Sequence, residues 1–154
     1  MSKFETKTCT RCGGSGRFSF NLMHGDRCYG CHGSGMQYTA RGKAAKAFYE
    51  ASQLKPLSDL KPGMFLWDDT FGMKAKWLPI EKIEQSGNYS ESNGVRHYYT
   101  NVVTKRCQHG VLSSSKLRAL SSEEERQALI AAALAYQDTL GKNGKPLKKI
   151  AVAA

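Results

Sequence analysis

The stretch CTRCGGSGRFSFNLMHGDRCYGCHGSG, residues 9–35, contains one eight-residue phrase twice: Cys-x-x-Cys-x-Gly-Ser-Gly begins at Cys9 and again at Cys28. Four of the five cysteines lie here, in a C-x2-C-x15-C-x2-C framework whose spacing reads as a zinc site. Each Cys-x-x-Cys offers two thiolates. Cys9, Cys12, Cys28 and Cys31 therefore complete the tetrahedral four-sulfur set that zinc favours, at about 2.3 Å per bond. The glycines behind each clip let the chain turn tightly around an ion and open the backbone so that N–H groups reach the sulfurs. Four protein ligands close the coordination sphere, which makes the single Zn2+ structural and leaves no position for an activated water. Such an ion supplies on the order of 10 kcal/mol of folding free energy to a module this small.

Other uses of the cysteines remain open at this stage. A thioredoxin-like redox pair is expected beside a βαβ pattern, which the chain lacks, and iron–sulfur ligation is a further non-zinc use. His24 and His32 are near enough to replace a cysteine, but with four thiolates present they read as a turn residue and a surface side chain. Cys107, alone in an expected strand, reads as a buried structural thiol.

Working outward, Arg17–Leu22 alternates before the turn residues His24, Gly25 and Asp26, so a β-hairpin is expected between the clips. From Thr39 to Leu54 the chain is rich in Ala and Lys, with Ala44, Ala47, Phe48, Ala51 and Leu54 at helical spacing. Pro56 and Pro62 then mark a module boundary. Between Met64 and Leu120, short aromatic and β-branched runs separated by Gly, Asn and Ser read as strands of a small antiparallel barrel. A last helix begins near SSEEER, with Ser121 and Glu124 as a capping box, Ile130, Ala133, Leu134 and Leu140 as its apolar stripe, and Gly141 as its stop. The expected fold is thus α+β: a zinc-braced β-hairpin module (1–38), an amphipathic linker helix (39–55), a small β-barrel (60–121), a C-terminal helix (122–141) and a basic tail (142–154).

The phrases CTRCGGSG and CYGCHGSG resemble the CxxCxGxG repeats of the DnaJ-type cysteine-rich zinc domain, and the intervening RFSF hairpin fits it as well. The resemblance covers about residues 9–35 and implies that Cys9, Cys12, Cys28 and Cys31 ligate one zinc. That family has four repeats and two zincs, whereas this chain has two repeats. It also lacks the His-Pro-Asp tripeptide of a J-domain, so co-chaperone activity is not implied. The segments LKPGMFLW and GVLSSSKLRALS are similar to the first and last strands of SH3-like or KOW-like barrels.

Charge narrows the function. The net charge of +10 is confined to the ends: residues 1–48 hold eight Lys/Arg against two Asp/Glu, residues 141–154 hold four Lys and no acid, and the middle is balanced. Such asymmetry is the footprint of a polyanion binder, usually nucleic acid, although basic ends also serve solubility. Arg11, Arg17, Arg27, Lys43 and Lys46 are the candidate phosphate contacts. Tyr29 is the candidate base-stacking ring, whereas Phe18 and Phe20 are expected to pack. No run reaches the roughly 18 apolar residues of a membrane span, and no secretory h-region opens the chain, so a reducing cytoplasm is the expected location, the host's if a phage encodes it. Asp68, Asp69 and His97 are the only polar groups that suggest catalysis. Adjacent strand residues point to opposite faces, and no nucleophile elbow, P-loop or HExxH is present, so an enzyme is not expected. The expected role is an accessory or regulatory factor of transcription, replication or RNA handling. The alternative is an adaptor or chaperone-like module that docks on a protein such as a polymerase.

Overall fold

A computed structural model describes residues 4–18, 26–69, 74–112 and 114–147. In chain order the elements are β1 (Thr6–Thr8), β2 (Met36–Tyr38), α1 (Ala40–Ser52), β3 (Leu54–Pro56), a 3-10 turn (Leu57–Asp59), β4 (Phe65–Asp68), β5 (Lys76–Ser92), β6 (Val95–Thr104), β7 (Gln108–Leu112), β8 (Lys116–Leu120) and α2 (Glu123–Asp138). Two helices and antiparallel sheets make the fold α+β. The chain divides into two compact units, residues 1–49 with 130–154, and residues 50–129.

In the first unit, β1 and β2 pair antiparallel, with Thr6 opposite Tyr38 and Thr8 opposite Met36. Alanine and lysine favour a helix beyond β2, and Thr39 caps it: its hydroxyl accepts from the Gly42 amide at 3.1 Å. A glycine inside a helix costs about 1 kcal/mol relative to alanine, and here close packing requires one. A Cβ on Gly42 would collide with the backbone carbonyl of Glu5. Phe48 stacks on Tyr136 with ring centroids 4.8 Å apart. The segment expected as basic tail starts with a tight turn: Leu140 bridges Pro146, and the Leu147 amide donates to the Thr139 carbonyl at 3.0 Å.

The second unit is a six-stranded sheet in the order β3-β8-β4-β5-β6-β7. Leu57, Leu60, Leu66, Ile80, Val102 and Ala119 form its core. Asn93 and Gly94, both at positive φ, turn β5 into β6, the residue pair favoured in two-residue hairpins. Trp67 and Trp77 face each other in register, with ring centroids 5.2 Å apart, and the Arg118 guanidinium lies 4.8 Å over Trp67.

Three expectations need correction. The SH3-like barrel does not close, because among the described residues β3 pairs only with β8 and β7 only with β6, leaving two sheet edges. The first helix ends at Ser52, and Leu54–Pro56 is a strand, since a residue before proline is disfavoured in helical conformation. The capping residue of α2 is Ser122, whose hydroxyl accepts from the Glu125 amide at 3.2 Å, while Glu125 reaches back to the Ser121 amide at 2.5 Å. The box lies one residue beyond the expected Ser121 and Glu124.

Candidate metal centre

The two repeats build two matching loops. In the first, the Ser15 hydroxyl lies 2.8 Å from the Cys12 carbonyl, and in the second the Ser34 hydroxyl lies 2.7 Å from that of Cys31. The Ser15 amide donates to the Cys12 carbonyl at 3.1 Å and the Ser34 amide to that of Cys31 at 3.0 Å. Backbone angles follow the same pairing: Gly14 and Gly33 have φ of 92° and 83°, and Gly16 and Gly35 have 73° and 74°. Even His32, which replaces a glycine, takes the left-handed φ of 51° that its counterpart Gly13 takes at 60°.

The loops then bind each other reciprocally. The Cys9 amide donates to the Gly35 carbonyl and the Cys28 amide to the Gly16 carbonyl, both at 2.8 Å. A Cβ on Gly16 would strike the Gly33 carbonyl, and one on Gly35 would strike that of Gly14. The repeat is therefore an approximate two-fold unit that closes with two copies.

This closure brings the four cysteines together. The Cys9 and Cys28 sulfurs are 3.9 Å apart, those of Cys12 and Cys31 are 3.7 Å apart, and all four lie within 4.8 Å of one another. None is in a disulfide. Tetrahedral zinc with bonds of about 2.3 Å separates its sulfurs by about 3.8 Å, so the donors fit such an ion. Cys9, Cys28 and Cys31 are buried, and the Gly35 amide donates to the Cys31 sulfur at 3.3 Å. Burial opposes ionisation of Cys12, but the Gly16 and Gly14 amides and the Cys31 and Cys9 sulfurs outweigh it and lower its pKa to about 6. At Cys28 burial wins and raises the pKa to about 11. Zinc binds cysteine as the thiolate, so a bound ion would displace the protons that remain on the four sulfurs.

The other candidates surround this cluster. Phe18 packs against the sulfurs, and the Arg11 guanidinium sits 4.6 Å over its ring. Arg17 is exposed and pairs with Asp26 at 3.3 Å. The Arg27 Nε donates to the His32 carbonyl at 2.7 Å, bracing the second loop. Tyr29 is 50% exposed, Lys43 is exposed and Lys46 is half-buried. The Arg17–Arg27 bridge and the 2.6 Å bond from the Phe18 amide to the Asp26 carbonyl form the base of the segment between the clips. The expected turn with His24 and Gly25, and Phe20, lie outside the described residues. His97 is exposed, and Asp68 is buried while Asp69 is exposed.

Sequence reasoning missed a groove beside the second loop, lined in part by His32, Met36, Gln37, Tyr38 and Lys43. The alternation of Met36 and Tyr38 about Gln37 was its only local signal. The compact units also divide the charge more sharply than linear segments do. The unit containing the four clip cysteines has twelve Lys/Arg against three Asp/Glu, a balance of +9, and the sheet unit has eleven against ten, a balance of +1.

Fold and site together define an α+β chain built on a cysteine knot that fits a metal ion such as zinc. No family model, curated protein or solved structure matches the chain. No described helix is long and apolar enough to cross a membrane.

Proposed function

We propose that the chain is a zinc-dependent nucleic-acid-binding accessory protein and not an enzyme. In this reading the knot holds one structural Zn2+ in a DnaJ-like hairpin and presents cations and an aromatic ring to a phosphate backbone. The observation that carries it is the charge division, +9 on the knot unit against +1 on the sheet unit. A polyanion meets one unit as a concentrated positive field, and the neutral sheet serves as a platform. Tyr29, exposed inside the second clip, supplies a stacking surface whose placement depends on the ion. Reversing Arg11, Lys43 and Lys46 to Glu tests the reading: nucleic-acid affinity is lost while zinc content and circular dichroism stay unchanged. Unaltered affinity in that variant rejects it.

A protein-docking role is the second reading, supported by exposed Met36 and Tyr38 in a groove beside a two-stranded sheet whose strands, among the described residues, each have a partner on one side only. It predicts that Met36→Ser and Tyr38→Ser abolish capture of a partner such as a polymerase while charge reversal leaves capture intact.

A further inference from the structure

Apart from the knot's cysteines, the sheet unit brings an aspartate together with a cysteine and a histidine about 40 residues further along the chain, all three of metal-ligating type. Asp68 ends β4, Cys107 immediately precedes β7 and His109 is the second residue of β7. Their donor atoms all lie within 4.8 Å of one another. Cys107 and His109 are two residues apart, and the turn before β7 brings their side chains into contact, the sulfur 3.1 Å from His109 Nε2. Cys107 is half-buried and held in a polar cluster, so it is not the buried structural thiol expected from its strand context.

The geometry distinguishes two uses of a Cys-His-Asp set. A nucleophilic triad needs the imidazole to relay a proton, with the thiol on one ring nitrogen and the carboxylate on the other. Here both partners face the same nitrogen: the Cys107 sulfur is 3.1 Å from His109 Nε2, and Asp68 Oδ1 is 3.9 Å from that same atom. One sulfur, one imidazole nitrogen and one carboxylate oxygen converge on a shared point, as ligands do.

The surroundings suit a cation held by one oxygen of Asp68. Its other oxygen, Oδ2, lies 3.1 Å from the Arg106 guanidinium, which also donates to the Lys74 carbonyl at 3.2 Å. A ligating carboxylate is commonly oriented in this way by a partner on its second oxygen. Asp68 is 0% exposed, so its carboxylate sits where charge must be compensated. The turn that carries the cysteine is set independently of any ion. The Thr104 hydroxyl donates to the Cys107 carbonyl at 3.2 Å and accepts from the Arg106 and Cys107 amides, each at 3.4 Å.

We propose that Asp68, Cys107 and His109 form a second metal site, selective for a borderline divalent ion of the zinc type. Thiolate and carboxylate together carry two negative charges and the neutral imidazole completes a mixed S, N, O set. Three protein ligands leave a fourth tetrahedral position for water or an exogenous donor, unlike the closed four-sulfur knot. The bound ion ties β4 to the β6–β7 turn across the sheet.

The test is zinc stoichiometry of the full chain after equilibrium dialysis against buffered Zn2+, comparing wild type with Cys107→Ser and His109→Gln. The deciding quantity is the difference, about one zinc per chain fewer in each variant, with circular dichroism unchanged. No difference overturns the proposal, whatever the total held by the knot. A readout without variants is alkylation of Cys107 by iodoacetamide, mapped by mass spectrometry on wild-type protein. Zn2+ slows it if the thiolate is a ligand, and an unchanged rate overturns the proposal as well.

Discussion

The Cys9 amide donates to the Gly35 carbonyl at 2.8 Å, joining the first residue of one repeat to the last residue of the other. The mirror bond from Cys28 to Gly16 has the same length, so each clip is closed by its partner. The two clips together supply the four sulfurs that one tetrahedral ion needs.

Substitution of Gly35 by alanine strikes at this closure. Gly35 has φ of 74°, and its new methyl group would collide with the Gly14 carbonyl, a backbone atom that cannot swing aside. Gly13 is the control, with φ of 60° but open space around a Cβ. Gly13→Ala costs about 1 to 2 kcal/mol from the left-handed backbone alone, and Gly35→Ala exceeds this and weakens metal retention as well. Competition with a chromophoric chelator measures the difference. Equal zinc affinities in the two variants contradict the reciprocal closure.

Removal of the ion unravels one unit and spares the other. The knot's buried cluster consists of Cys9, Cys28 and Cys31, whereas the sheet has its own apolar core around Leu66, Ile80 and Val102. In hydrogen exchange with a chelator present, the Cys9 and Cys28 amides lose protection while those of Ile80 and Val102 keep theirs. Loss of protection in both units would contradict the independence of the sheet's apolar core from bound metal.

Much of this arrangement was legible in the sequence, and what was missed has identifiable physical reasons. The cysteine clips were readable because metal geometry fixes spacing locally. The turn at Asn93-Gly94 was equally local, a strong hairpin signal that the sequence reading passed over, and with it the length of the β5–β6 ribbon. The pairing of β8 with both β3 and β4 was not legible, because no local pattern records which distant strands meet. The same holds for Asp68 and Cys107, whose proximity exists only once the sheet has formed. The helix cap shifted by one residue because Ser121 and Ser122 are both followed by a glutamate three positions later, and only backbone direction chooses between them.

Acid should loosen the start of α2. Burial of Glu125 opposes its charge, but the Lys55 ammonium at 2.8 Å and the Ser121 amide outweigh this and hold its carboxyl below the ordinary 4.5. Its folded-state pKa is depressed, so the stabilisation is fully present above the ordinary value and is lost as pH falls through the lower folded value. Urea midpoints between neutral pH and pH 3 should therefore decline less in Glu125→Gln than in wild type. Parallel declines contradict the assignment.

Arg118 joins three groups of the sheet unit: its Nε donates to Gln53 Oε1 at 2.8 Å, its guanidinium covers Trp67, and it lies 3.5 Å from Glu50. Arg118→Ala removes a cation–π contact and leaves the buried Gln53 oxygen without this donor, a loss of about 2 kcal/mol. Equilibrium unfolding followed by tryptophan fluorescence reads both the stability and the altered ring environment. Lysine should not restore either, since it has no planar guanidinium to stack and donate together.

The most direct measurement is fluorescence anisotropy of the zinc-loaded chain with matched single-stranded DNA, duplex DNA and RNA, each titrated with salt. Five phosphate contacts predict a log–log salt slope of about −4.5 on duplex DNA and about −3.5 on single strands, with affinity lost when zinc is chelated. Absence of binding to all three at about 50 mM salt, where phosphate contacts are strong, would contradict the nucleic-acid reading and leave the groove at Met36 and Tyr38 as the functional surface.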